Sequence, residues 1–90
     1  MGRETRLFKT EERKNRPDVS EFLHQLADKV SEGQVVLSQG TEDITLEIPN
    51  NLILEVEVQD EDKAAKGVQR SLEIEIKWHD NGQDGSLEVK

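Results

Sequence analysis

Apolar residues recur at spacings of three and four over Val19, Phe22, Leu23, Leu26, Ala27 and Val30. That spacing gathers them on one face of an α-helix, with Glu21, His24, Gln25, Asp28 and Lys29 opposite. Two residues compete to cap its start. With Asn15 as cap, Pro17 lies in the first turn, where its missing N–H costs nothing, and Asp18 follows three residues after the cap. With Asp18 as cap, Glu21 takes the reaching role and the helix begins later. Asn15 is the preferred reading. Gly33 ends the helix, because glycine enters the left-handed region just past a last turn without strain.

After Gly33 the period changes to strict alternation. Val35 and Leu37 lead into a turn of Ser38, Gln39, Gly40 and Thr41. Ile44, Leu46 and Ile48 then alternate with Thr45 and Glu47, and Pro49, Asn50 and Asn51 make the next turn. Leu54, Val56 and Val58 alternate with Glu55, Glu57 and Gln59. Leu72, Ile74, Ile76 and Trp78 alternate with Glu73, Glu75, Lys77 and His79. Residues 60–70 between these last two strands are polar and contain alanine, and are expected to form a mobile loop.

Short connections make successive strands antiparallel neighbours, so the expected fold is α+β: an antiparallel meander of four to five strands with one helix packed on one face. Phe22, Leu26 and Val30 are expected to share a core with Ile74, Ile76 and Trp78. The fifth strand is residues 7–14, where Phe8 and Thr10 alternate with Lys9 and Glu11. The expected organisation is a flexible segment 1–6, one domain over 7–79, and a flexible acidic tail over 80–90.

The succession NRPDVSEFLHQLADKVSEG, VVLSQG, ITLEIP and LEVEV, closing on LEIEIKW, resembles the amphi-Trp domain family, named for an amphipathic last strand and its tryptophan. The resemblance covers roughly residues 7–78 and favours Asn15 as the cap. It implies the fold and no activity. Because such domains stop at or near the tryptophan, the tail after Trp78 is expected to lie outside the resemblance.

Composition changes the picture in two respects. Hydrophobic residues make up 32% and charged residues 36% of the 90, a balance that leaves disorder as a rival until periodicity decides against it. Twenty Asp and Glu against twelve Lys and Arg give a net charge of -8, a field that repels nucleic acid. Absence of cysteine excludes disulfides, thiolate chemistry and cysteine metal sites. The longest apolar runs, Val35 with Val36 and Leu37, and Leu52 with Ile53 and Leu54, are far below the ~20 residues of a membrane span. The start has no apolar centre of a secretory signal, and Arg6 occupies the position where myristoylation wants Ser or Thr. A soluble cytoplasmic chain, without membrane partner, is the expectation.

Candidate chemistry is sparse. His24 and His79 are both expected on polar faces, and with neither cysteine nor tyrosine present no catalytic set converges. No catalytic residue, cofactor or metal site is therefore expected. Asp80, Asp84 and Gly85 superficially suit a calcium loop, but Gly82 replaces an oxygen donor and the sequence ends before the twelfth position. Trp78 either closes the core or offers its indole N–H at a binding rim. The outward face is the informative feature, because Glu47, Glu55, Glu57, Glu73 and Glu75 gather like charges that oppose one another. Residues 1–16 hold six basic and three acidic residues, net +3, which leaves -11 for the remainder. The expected function is a non-enzymatic protein-interaction or self-association module, with Glu47, Glu55, Glu57, Glu73, Glu75 and Trp78 as partner-binding residues. Its partner is a basic protein surface, or a second copy in a weak homodimer. The alternative is a small-molecule or cation site near Trp78.

Overall fold

The computed structural model describes residues 2–79, and the tail expected over 80–90 lies outside them. The elements run in the order α1 (Arg16–Glu32), β1 (Gln34–Gln39), β2 (Glu42–Glu47), β3 (Ile53–Asp62), a 3₁₀ turn at Ala64–Lys66, and β4 (Val68–Lys77). This is an α+β chain whose strands pair as two antiparallel hairpins, β1 with β2 and β3 with β4. The chain divides into two compact units, Met1–Ile48 and Pro49–Lys90.

In the first unit both ends of α1 are set by the residues the sequence offers. Asn15 is the N-cap: its Oδ1 accepts the backbone N–H of Asp18 at 2.9 Å, which satisfies one of the donors a helix start leaves unpaired. Gly33 takes φ 93°, and its N–H donates to the carbonyls of Lys29 and Val30 at 3.0 and 3.1 Å. Asp18 in the first turn and Lys29 in the last both oppose the helix dipole. From Gly33 the chain turns directly into β1, and the ladder begins where the Ile48 N–H donates to the Gly33 carbonyl at 2.8 Å.

The β1–β2 register pairs Val35 with Leu46 and Leu37 with Ile44, so all four share a face. The helix packs against β1. Val35 is 4% exposed, the buried apolar residue of the described chain, while Leu26, Val30, Leu37, Ile44 and Leu46 are half-buried around this contact. Gly40 at φ 60° supplies the tight turn. The N-terminal end of the helical stripe is more open, with Val19, Phe22 and Leu23 at 45–53% exposure.

Residues 7–14 do not form the expected fifth strand; no strand precedes α1 among the described residues. Two alternating positions among charged neighbours supply too little apolar face to hold a strand. The segment is tied by side chains instead. Gln39 Nε2, at the tip of β1, donates to Glu12 Oε2 at 3.2 Å, and Lys14 Nζ lies 3.3 Å from Glu12 Oε1.

In the second unit β3 and β4 form an unbroken ten-residue ladder from Ile53 opposite Lys77 to Asp62 opposite Val68. The mobile loop expected over residues 60–70 is therefore corrected to a turn over 63–67. Backbone pairing carries the strands through the polar stretch, and Arg70 clamps Asp60 directly opposite with Nε–Oδ1 and Nη2–Oδ2 distances of 2.8 and 3.1 Å. The turn is closed by the Lys63 N–H donating to the Gly67 carbonyl at 2.7 Å and by the Ala64 N–H donating to Asp62 Oδ1 at 2.8 Å. Gly67 takes φ 87°, while Ala64 holds φ 56° without glycine's freedom. No helix among the described residues is long and apolar enough to cross a membrane.

Candidate interaction surface

Register decides which side chains of the second hairpin meet. On one face Glu55 stands opposite Glu75 and Glu57 opposite Glu73, flanked by Ile53 with Lys77 and by Gln59 with Ser71. Leu54 with Ile76, Val56 with Ile74, Val58 with Leu72, Asp60 with Arg70, and Asp62 with Val68 form the other face. Four of the five glutamates singled out by the sequence thus come together as two directly opposed pairs. Glu47 does not join them in this hairpin. It lies on β2 in the first unit, where Gln34 Nε2 donates to its Oε2 at 2.7 Å across the ladder.

Two diagonal contacts relieve the carboxylates at opposite ends of the cluster. Lys77 Nζ lies 2.8 Å from Glu55 Oε1 and 3.9 Å from Glu75 Oε1. Gln59 Nε2 donates to Glu73 Oε2 at 3.1 Å. The hydrogen bond and charge of Lys77 hold the Glu55 carboxyl below its ordinary 4.5, and Glu55 in turn raises Lys77. Asp60 is likewise lowered by the hydrogen bond from Arg70, whose own value is raised. These pairs are exposed, so they tune the surface more than they stabilise it. Among the described residues Glu57 draws no such partner. Alternation alone located the glutamates; Gln59 and Lys77 as their diagonal partners become visible only once the register is known.

Glu55, Glu57, Glu73 and Glu75 line a shallow groove of about 230 Å³ together with Ile74. The carboxylates are spread along a ladder and do not converge on one point; among the described residues no group of three or more His, Asp or Glu is placed to hold a metal ion. What the surface offers is a row of anionic oxygens, spaced to accept several separate cationic donors.

Trp78 follows the last residue of β4 and is half-buried. With Ile53, Ile76, Lys77 and His79 it lines an open cleft of about 510 Å³. His79 is therefore beside the tryptophan. His24 lies on α1, along an open groove of similar size with Lys14, Asn15, Arg16, Val19 and Leu23.

No curated protein and no solved structure matches the chain. A family match does exist, and it runs over residues 1–90, so the stretch after Trp78 that was expected to fall outside the resemblance is within the matched span. Its description is the Amphi-Trp domain, in keeping with a last strand that alternates Leu72, Ile74 and Ile76 with glutamates and ends on Trp78, and the chain belongs to that family.

Proposed function

We propose that this protein is a small non-enzymatic interaction module whose carboxylate face docks a cationic protein surface. The supporting observation is the pair of directly opposed glutamates, Glu55 with Glu75 and Glu57 with Glu73, held on a regular ladder with a single lysine beside them. Like charges at such positions work against the sheet when it stands alone. A partner presenting lysine or arginine converts that repulsion into attraction, most simply at Glu57, which has no cation beside it among the described residues.

The fold in this reading is the four-strand antiparallel meander with α1 packed on one face. That arrangement leaves the glutamates outward. Basic residues between Arg3 and Arg16 of a second copy are one such cationic surface.

Binding of a lysine-rich peptide, followed by calorimetry, tests the reading. The expected result is an affinity that weakens as salt screens exposed charges over ~8 Å at physiological ionic strength, and that disappears when Glu57 and Glu73 are both changed to Lys. Binding unchanged by that double substitution overturns it.

A second reading rests on the cleft at Trp78. Among the described residues its walls carry Lys77 and His79, and these basic groups suit a small anionic aromatic better than a cation. Quenching of Trp78 fluorescence by such a ligand, abolished in His79→Ala, would support it.

A further inference from the structure

The apolar face of the second hairpin is exposed along most of its length. Leu54, Val56, Val58, Val68, Leu72 and Ile74 all project from this face by register and are 54–67% exposed. Ile76 and Trp78, at its other end, are half-buried. A two-stranded ribbon is marginally stable in water unless its apolar face is covered.

We propose that the occupant of this face is the same face of a second copy, in a two-fold dimer in which two β3–β4 ribbons pack about 10 Å apart. The face is suited to meeting itself. From Leu54 to Val58 it is aliphatic, with Trp78 beyond its far end, so the rows of valine, leucine and isoleucine can interdigitate.

Its charges, Asp60, Asp62 and Arg70, are confined to the end near the turn, where Asp60 pairs with Arg70 and Asp62 accepts the Ala64 N–H, and they make a polar rim. Each exposed aliphatic side chain removes on the order of 100 Å² from water when buried. Six on each copy then give about 1,200 Å² for the pair, above the ~1,000 Å² that a specific interface needs. The glutamates of the proposed docking surface face outward on both sides of such a dimer. This association is therefore independent of cationic docking, and either can fail without the other.

Sedimentation equilibrium of the full chain at about 0.1 M and about 1 M NaCl tests the proposal, because screening shortens from ~10 to ~3 Å between them. The expected species has twice the 10.3 kDa of one chain at both salt concentrations. A folded monomer at high protein concentration overturns the proposal, and so does a dimer that dissociates in salt. Val58→Lys is expected to give a monomer. Should that variant fail to fold, cross-linking decides. The chain has no cysteine, so Val58→Cys and Glu57→Cys each place a single thiol, on opposite faces. A short bis-maleimide is expected to join two copies of Val58→Cys and not of Glu57→Cys; the reverse pattern, or joining of neither, overturns the interface.

Discussion

Glu55 and Glu75 face each other across the β3–β4 ladder, and one ammonium serves both: Lys77 Nζ is 2.8 Å from Glu55 and 3.9 Å from Glu75. Three charged groups at one end of the hairpin are thus coupled, while at the other end of the cluster Gln59 donates to Glu73. Neutralisation along this face is therefore uneven.

The first prediction concerns pH. Glu55 has a lowered folded pKa, so its contribution is present above the unfolded value near 4.5 and is lost as pH falls through the lower folded one. Lys77 has a raised pKa, so its share is present below 10.5 and is lost as pH rises through the higher folded value. Lys77→Met is expected to melt below the parent at pH 7, with the gap closing towards pH 3, where protonation removes the glutamate repulsion that the lysine had offset. Thermal melts across that range check it; a gap that widens in acid would contradict the pairing.

The two faces of β4 should respond in opposite ways. Ile74→Asp places a carboxylate on the apolar face and is expected to lower the Tm clearly below the parent's. Glu75→Lys puts a cation opposite Glu55 and is expected to be tolerated. Circular dichroism melts of both variants decide, and equal loss in the two would show that the faces are wrongly assigned.

How far the fold could be read from the sequence depended on whether a local signal had a single physical cause. The helix was legible to the residue because Asn15 and Gly33 are the cap types its ends demand, and the apolar stripe has no competing period. The glutamate face was legible because alternation leaves no choice about which residues share a side. Residues 60–70 were misread because strand propensity is absent from Asp60, Glu61 and Asp62, and pairing with Val68, Gln69 and Arg70 overrides it. Alternation also could not assign Glu47 to its hairpin. Parity says which face a residue takes and nothing about which strand lies beside it.

The helix caps give a third prediction. Asn15→Ala removes the acceptor for the Asp18 N–H and is expected to cost ~1 kcal/mol, a fall of roughly 4–8 °C in Tm for a domain of this size. Gly33→Ala would meet only the Ile48 carbonyl oxygen at 3.7 Å, an ordinary contact. Its expected cost, about 1–2 kcal/mol, comes from forcing a Cβ into the left-handed region. Two losses of similar size and separate origin should add, and the double variant measures whether they do.

The hairpin turn supplies the converse case. Ala64 holds φ 56°, a conformation in which a Cβ is crowded by the following carbonyl. Ala64→Gly is expected to raise stability by roughly 0.5–1 kcal/mol, the relief of strain exceeding the added freedom of the unfolded chain. Urea unfolding monitored by Trp78 fluorescence reads this directly, and a loss of stability would mean that the alanine methyl is packed and not strained.

Deleting residues 1–14 separates the two kinds of association that the surfaces of this chain support. The deletion takes away Arg3, Arg6, Lys9, Arg13 and Lys14 while leaving the Asn15 cap and all of α1. It also removes Glu12, whose hydrogen bond from Gln39 ties the segment to its own first hairpin. An exposed contact of that kind stabilises by ~1 kcal/mol at most, so the fold is expected to survive. If basic segments dock on the glutamates of other copies, light scattering of the parent at about 0.05 M NaCl will show species larger than a dimer. These are expected to fall back to the dimer when salt is raised or when residues 1–14 are absent. The dimer through Val56, Val58, Leu72 and Ile74 is expected to persist in both conditions, because apolar burial is not screened by salt. Persistence of the larger species in the truncated chain would remove the basic segment as a ligand of the carboxylate face. Loss of the dimer along with them would mean that the N-terminal residues, and not the aliphatic ribbon, hold two copies together.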